Sequence, residues 1–177
     1  HLLRKFLLRE KARIIENQIR FKVIGDISTL PQETKKLICN LEEETKSFTG
    51  LKLTFAFGYG GRQEIVDAVN THIKNNPHQP VTQEILSQSL YAPELADVDL
   101  LIRTGGDQRI SNFLLWQMAY AELYFTESRW PDFTASEFSK IINEVETRER
   151  RFGSIVAQSK LDDSVSMARK HLEMLQQ

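Results

Sequence analysis

Residues 97–112 read DVDLLIRTGGDQRISN, and their pattern is the clearest indication of the fold. Residues 98–102 form a short, mostly apolar run bounded by polar residues, which is typical of a buried strand in a parallel sheet. The glycine pair that follows lets the backbone take conformations closed to other residues and approach a ligand closely. Ser111 or Asn112 is expected to cap a helix that begins near Phe113. The stretch therefore predicts a strand, a glycine turn and the start of a helix.

Two arginines flank the glycine turn, Arg103 before it and Arg109 after it. A guanidinium group presents a planar fork of donors, which suits bidentate contact with phosphate oxygens. Open α/β sheets bind ligands at the carboxyl ends of their strands, where this turn is expected to lie. Isolated arginines and single glycine pairs are common on protein surfaces, but the whole pattern favours a phosphate or diphosphate site. That interpretation requires the two guanidinium groups to converge.

Strands and helices alternate along the chain, which is the pattern of a parallel sheet covered by helices on both faces. An amphipathic helix is predicted from residue 2 to about residue 17. Strands are predicted at residues 21–24, 51–57, 98–102 and 123–126, and further helices at 31–48, 61–74, 82–90, 111–119 and 135–145. We therefore expect an α/β fold with an open, mostly parallel sheet.

Composition narrows the class of protein. The chain has 177 residues, of which 41% are hydrophobic, so it can bury a core. Its net charge of −1 provides no basic field to recruit nucleic acid. A single cysteine, Cys39, argues against a disulfide framework and is expected to fill core space. No run of about 18 apolar residues and no signal-like segment occurs, so a cytoplasmic protein is expected.

The loop and its surroundings resemble the cis-prenyltransferase family, whose bacterial members include undecaprenyl diphosphate synthase and other isoprenyl transferases. The resembling motifs are DLLIRTGGDQRISN at 99–112, FLLWQ at 113–117, AYAELYF at 119–125, WPDF at 130–133 and RERRFG at 148–153. The resemblance is weaker but continuous from about residue 20, with Gly25-Asp26 and Tyr59-Gly60-Gly61-Arg62 as its recognisable points. Residues 154–177 carry no family motif.

The resemblance implies a cis-prenyltransferase fold truncated at its N-terminus. Residues 1–153 would be the C-terminal portion of the catalytic domain, and residues 154–177 a C-terminal helical extension. The implied activity is condensation of isopentenyl diphosphate onto an allylic diphosphate, with farnesyl diphosphate expected, to give a new cis double bond at each cycle. The polyprenyl diphosphate product implies a lipid carrier for cell-wall glycan synthesis and peripheral contact with the membrane.

The resemblance also assigns roles to individual residues. It implies that Arg103, Arg109 and Ser111 hold the diphosphate of isopentenyl diphosphate, with the backbone of Ile110 beside them. It implies that Glu122 is one ligand of Mg²⁺. Magnesium favours hard oxygen ligands and is commonly completed by substrate phosphates, so one or two protein carboxylates suffice. On residue type alone, a solvent-facing carboxylate is the commoner interpretation of Glu122.

The sequence departs from the family in two segments. Nothing in it resembles the opening His and Met-Asp-Gly-Asn-Gly-Arg motif, whose aspartate is the other magnesium ligand. The Ser-Glu-Asn-Trp-like segment, which contributes to allylic substrate binding and proton removal, is also not found. We therefore expect a fragment that is inactive by itself, with its catalytic residues in a missing N-terminal segment. Gly58, Asp107 and Gln108 stand where the family usually has Asn, Glu and, in some members, His.

A second class of function stays open at this point. A non-catalytic partner subunit of a cis-prenyltransferase complex would keep the fold and the loop without the metal aspartate. Family members are generally homodimers, and the apolar residues from Trp116 to Phe125 suit a buried interface. The apolar residues at 113–116 are assigned to the core or to a dimer contact. Residues 148–153 are interpreted equally as a charged helix end or as a diphosphate or dimer-interface segment. A terminal amphipathic helix is predicted within residues 154–177.

Overall fold

The computed structural model of the protein describes residues 2–148. The elements in chain order are α1 (Leu2–Glu16), β1 (Arg20–Ile24), α2 (Gln32–Thr45), β2 (Lys52–Ala56), α3 (Gly61–Asn75), α4 (Gln83–Ser89), β3 (Leu100–Thr104), β4 (Glu122–Thr126) and α5 (Ala135–Glu146). A short 3-10 helix at Trp130–Asp132 lies between β4 and α5. The described residues form two compact units: the first contains residues 2–96 and 112–116, and the second contains residues 97–111 and 117–148.

The strands pair in parallel, as the predicted α/β class requires. In the first unit β1 pairs with β2, with Arg20 opposite Lys52. In the second unit β3 pairs with β4, with Leu100 opposite Glu122. The α/β class is therefore confirmed, and among residues 2–148 the strands form two separate two-stranded ladders.

The core of the first unit forms where α1 and α2 pack against β1. Leu7 and Ile14 lie on one face of α1, seven residues apart, and meet Ile38 and Leu41 of α2. Phe21 of β1 is 2% exposed at the centre of this cluster. Full burial of each such side chain contributes about 1.5–3 kcal/mol, so this cluster stabilises the first unit.

In the second unit α5 supplies the buried apolar face. Ile141, Ile142 and Val145 are buried at the spacing expected for one side of a helix. The helix begins after Thr134, whose side-chain oxygen accepts a hydrogen bond of 3.2 Å from the backbone N–H of Glu137. This N-cap satisfies a donor that the first turn would otherwise leave unpaired.

The predicted helix at residues 111–119 is wrong, because this segment forms turns between β3 and β4. Ser111, Asn112 and Leu114 have φ angles of 48°, 64° and 42°, which a right-handed helix does not contain. Asn112 caps a different helix, α3. Its side-chain oxygen accepts a 2.9 Å hydrogen bond from the Arg62 backbone N–H, and its carbonyl accepts one of 2.7 Å from Gly61. These contacts hold the segment out of helical geometry.

The remaining predicted helices and strands are confirmed, with ends shifted by no more than about one helical turn. Trp116, predicted to lie in the core or in a dimer contact, is partly buried and packs on a cluster of Ala68, Leu86 and Leu90. The predicted core position of Cys39 is wrong, because its side chain is exposed. Within residues 2–148 no helix is both long enough and apolar enough to cross a bilayer. The predicted terminal helix lies outside the described residues.

Candidate functional site

The glycine turn leaves the carboxyl end of β3. Gly105 and Gly106 have φ angles of +93° and +81°, which explains why glycine occupies both positions. The N–H of Gly105 donates to the Ser128 carbonyl (2.8 Å) and that of Gly106 to the Thr126 carbonyl (2.9 Å). A Cβ on Gly106 would lie 2.5 Å from a carboxylate oxygen of Glu127. The glycine amides therefore fasten the turn to the end of β4.

Arg103 and Arg109 converge on a single carboxylate, as the predicted phosphate site requires. One terminal nitrogen of each guanidinium donates to the same oxygen of Asp107, at 2.7 Å in both cases. Arg103 also donates to the Ser111 hydroxyl at 2.7 Å and to the backbone carbonyl of Arg109. We call Arg103, Asp107, Arg109 and Ser111 the arginine cluster. Two guanidinium groups around one carboxylate leave a net positive charge on this loop.

The two arginines differ in their freedom. The side chain of Arg103 is 25% exposed and is held by three partners in the loop, whereas that of Arg109 is 65% exposed. Ile110, whose backbone is expected beside the substrate, lies in the same loop between Arg109 and Ser111. The structure therefore brings together every predicted site residue except Glu122. The role of Asp107 was missed, although its position four residues after Arg103 was a local signal.

Glu122 lies apart from the arginine cluster. It is the first residue of β4 and pairs with Leu100 at the amino end of the ladder, whereas the loop leaves the carboxyl end at Thr104. At about 3.3 Å per residue, the length of the ladder separates the two ends by about 13 Å. The loop and the predicted metal ligand therefore occupy opposite ends of the same pair of strands.

Arg148, two residues beyond the end of α5, is a side-chain partner of Glu122. One terminal nitrogen lies 3.3 Å from a Glu122 carboxylate oxygen, and the other lies 2.8 Å from Glu144. The guanidinium carbon also lies 5.9 Å from the centre of the Tyr124 ring. Hydrogen bonds to Glu144 and then to Glu122 raise the pKa of Arg148. We call Glu122, Glu144 and Arg148 the carboxylate cluster, which carries a net negative charge.

The donor chemistry of Glu122 fits part of a magnesium site. A glutamate carboxylate is a hard oxygen ligand, and magnesium often uses one or two carboxylates together with phosphate oxygens and water. Among residues 2–148 no group of three or more His, Cys, Asp or Glu side chains is arranged to hold a metal ion. The described residues could therefore supply one protein ligand, with the remaining ligands coming from substrate or solvent.

Glu137 braces the carboxyl end of β4, close in the chain to the residues that hold the glycine turn. Its carboxylate accepts hydrogen bonds from the hydroxyls of Thr126 (2.6 Å) and Ser128 (2.8 Å). These hydrogen bonds lower the pKa of Glu137. The spacing from Thr134 is that of a capping box, which predicts a contact at the helix start instead. The structure uses this carboxylate to tie α5 to β4.

In the first unit, a buried carboxylate orders the start of α3. Glu64 is 1% exposed, and it accepts hydrogen bonds from the Tyr91 backbone N–H (3.0 Å) and from the Tyr59 hydroxyl. The Tyr91 hydroxyl donates in turn to Asp67. Burial and this hydrogen bond raise the pKa of Tyr91 to about 12. The Tyr59-Gly60-Gly61-Arg62 motif is therefore supported by a polar network that sequence reasoning missed.

Comparison with known proteins gives consistent matches. A family model described as "Putative undecaprenyl diphosphate synthase" matches residues 1–153, which contain both clusters. An isoprenyl transferase of Fusobacterium nucleatum is 48% identical over 151 residues, covering 85% of this chain. The chain spans 65% of the length of that relative.

Two solved structures are also similar. The crystal structure of a "probable undecaprenyl diphosphate synthase" from Campylobacter jejuni has a TM-score of 0.78 and 40% identity, covering 86% of this chain and 72% of that one. Lavandulyl diphosphate synthase from Lavandula x intermedia, in complex with dimethylallyl diphosphate, has a TM-score of 0.77 and 30% identity, covering 86% and 68%.

Proposed function

The chain belongs to the undecaprenyl diphosphate synthase family, and from this membership we propose that the protein containing it is an isoprenyl transferase. The proposed reaction condenses isopentenyl diphosphate onto an allylic diphosphate with cis stereochemistry. The predicted family and the predicted cis-prenyltransferase fold are both confirmed. The observation that carries the proposed activity is the arginine cluster, in which two guanidinium groups converge at the carboxyl end of β3.

The arginine cluster is proposed to bind the diphosphate of isopentenyl diphosphate. Each guanidinium has further N–H donors beyond the one that Asp107 accepts, so the pair can present donors to an anion. Charge-assisted hydrogen bonds of this kind contribute about 1.5–3 kcal/mol each. We assign Arg103 as the fixed donor and Arg109 as the donor exposed to solvent. The Ser111 hydroxyl and the backbone at Ile110 complete the cradle.

In the proposed reaction the bond between the allylic carbon and its diphosphate oxygen breaks. A carbon–carbon bond forms to isopentenyl diphosphate, and a proton leaves the latter as the new double bond appears. The contribution of the loop to this reaction is orientation. Holding the five-carbon unit by its diphosphate converts an encounter between two substrates into a reaction between neighbours, which lowers the entropic part of the barrier.

We propose Mg²⁺ as the cofactor and Glu122 as one of its ligands. Bound magnesium would neutralise charge on the departing allylic diphosphate. The position of Glu122, about 13 Å along the ladder from the loop, supports separate contacts for the two diphosphates. The loop would hold that of isopentenyl diphosphate, and the Glu122 carboxylate would face the cation associated with the other.

The proposed partners follow from the family and from the surface of the second unit. An allylic diphosphate, with farnesyl diphosphate first, is supported by the bound dimethylallyl diphosphate in the lavandulyl diphosphate synthase structure. A homodimer is supported by the exposed apolar side chains of Tyr120, Leu123 and Trp130, which are 73%, 41% and 76% exposed. No nucleic acid partner is proposed.

The location of the protein and the limits of its domain are also proposals. We propose a cytoplasmic enzyme that touches the membrane peripherally through its polyprenyl product, a lipid carrier for cell-wall glycan synthesis. Residues 1–153 are proposed as part of the catalytic domain, and residues 154–177 as an extension of it. The end of the family match at residue 153 supports that boundary.

Incorporation of radiolabelled isopentenyl diphosphate tests the activity. The intact protein, supplied with farnesyl diphosphate and Mg²⁺, is expected to form a labelled, solvent-extractable polyprenyl diphosphate. An Arg103→Gln variant should lose incorporation at low isopentenyl diphosphate, whereas Arg9→Gln, on the exposed face of α1, should not. An intact protein that incorporates no label would contradict the proposal. Product that forms only after a second, catalytic subunit is added would favour the partner-subunit alternative.

A further inference from the structure

The carboxylate cluster places one guanidinium between two carboxylates with unequal contacts. Arg148 lies 2.8 Å from Glu144, four residues earlier in the chain, and 3.3 Å from Glu122 on β4. It also contacts the Tyr124 ring and the Leu123 carbonyl, the latter at 3.5 Å. The contact with Glu122 is therefore the longer of its two ion pairs, while three other contacts anchor the guanidinium.

We propose that Arg148 is a positioning residue that occupies the cation position beside Glu122 and yields that position to a divalent cation. The inference deepens the proposed function and rests on it, because it takes Glu122 to be a metal ligand. In this arrangement the guanidinium holds the carboxylate in place and balances its charge. The divalent cation then replaces one partner of Glu122 with another.

The geometry indicates a small free-energy cost for replacing Arg148 with a divalent cation at Glu122. When Arg148 releases Glu122, it keeps Glu144 and the Tyr124 ring, so its charge stays paired. The side chains of Arg148 and Glu122 are 36% and 26% exposed, which lets solvent enter between them. Ion pairs with this degree of exposure contribute little stability. A doubly charged ion, which attracts the carboxylate more strongly than a guanidinium does, can therefore take the site.

Substitutions of Arg148 and of Glu144 should have opposite effects on metal binding. Arg148→Gln removes the competing charge, so the intact protein should bind Mn²⁺ about two- to fivefold more tightly. Glu144→Gln removes the alternative partner of Arg148 and leaves the guanidinium on Glu122, so Mn²⁺ should bind more weakly by a similar factor. In the double variant the effect of Glu144→Gln should vanish, since no guanidinium remains to redistribute.

Free Mn²⁺ measured by electron paramagnetic resonance, with the metal alone and without substrate, provides the readout. Lys140→Gln is the matched control, because it removes one positive charge from the exposed face of α5 without touching Glu122. Its Mn²⁺ affinity should stay at the wild-type value. Thermal unfolding identifies any variant that fails to fold, and Glu144→Gln, which alters an exposed side chain, then carries the test.

Several results would overturn the inference. Weaker or unchanged Mn²⁺ binding in Arg148→Gln would show that Arg148 does not compete with the ion. Additive effects in the double variant would reduce the result to general electrostatics. A wild-type protein that binds no Mn²⁺ would contradict the proposed replacement of Arg148 by a divalent cation. Prenyl transfer is assayed on the same preparations, so failure of the proposed function is seen separately, as absence of product.

Discussion

The two ends of the β3–β4 ladder carry opposite arrangements of charge. At the carboxyl end two arginines share one carboxylate, that of Asp107. At the amino end two carboxylates, those of Glu122 and Glu144, share one arginine, Arg148. Each end thus carries three charged side chains, whose net charge is positive at the carboxyl end and negative at the amino end.

The opposite charges of the two ends favour different kinds of ligand. The surplus positive charge favours an anion at the loop, and the surplus negative charge favours a cation at Glu122. In both clusters the central, shared ion keeps like charges close together before any ligand arrives. We therefore expect substitutions at the two ends to change different measured quantities.

The largest expected effect is at Arg103. Replacing it with Gln removes the better-held guanidinium, so the KM for isopentenyl diphosphate should rise about ten- to a hundredfold. Mn²⁺ affinity should not change, because Glu122 lies at the other end of the ladder. Steady-state kinetics of the intact protein measure KM. Arg9→Gln, whose parent side chain is 77% exposed, is the control. An unchanged KM would contradict the assignment of the arginine cluster to the diphosphate of isopentenyl diphosphate.

The next prediction concerns the stability of α3 and the residue Asn112, which directly follows Ser111 of the arginine cluster. Asn112→Ala removes the side-chain acceptor for the first turn of α3, so the free energy of unfolding should fall by about 1 kcal/mol. Urea denaturation measures this loss. Ser111→Ala, one residue earlier, should raise the KM for isopentenyl diphosphate instead and have a smaller effect on stability. Equal effects of the two variants on both quantities would contradict the division of roles.

Asp107 tests how the shared ion works at the carboxyl end. Asp107→Asn keeps the shape of the side chain but leaves the two guanidinium groups without a charged acceptor, so they should separate. The KM for isopentenyl diphosphate should rise about two- to tenfold, less than for loss of Arg103. Asp97→Asn, at an exposed position, is the matched control. A fall in KM would mean that the Asp107 carboxylate competes with the diphosphate.

Local features explain what could be predicted from the sequence. The strand, the glycine pair and the flanking arginines of residues 98–109 depend on neighbours in the chain, and the structure agrees with them. The ends of β3 were shifted by two residues because an apolar run does not mark where pairing begins. The sequence pattern predicts the convergence of Arg103 and Arg109, but it does not predict the acceptor that joins them, Asp107.

Long-range contacts explain what could not be predicted. The helix at residues 111–119 was expected because Asn112 is a good N-cap residue, but it caps α3 through Gly61 and Arg62. No periodicity in residues 111–119 reports that partner. The pairing of Glu122 with Arg148 likewise joins residues 26 positions apart. Positions such as these become visible only when the chain is folded.

The smallest expected effect concerns the brace at Glu137, which ties α5 to the carboxyl end of β4. Hydrogen bonds from Thr126 and Ser128 lower its pKa below the ordinary value of 4.5, so the folded state favours the charged carboxylate. Its contribution to stability is therefore complete above that ordinary value and is lost as the pH falls through the lowered pKa.

Wild type should exceed Glu137→Gln in thermal stability at pH 7, and this difference should shrink progressively below about pH 4.5. A difference that stays constant down to pH 3 would show that the carboxylate charge does not stabilise this end of the ladder. In that case the charged groups that matter at the two ends would be the arginine cluster and the carboxylate cluster alone.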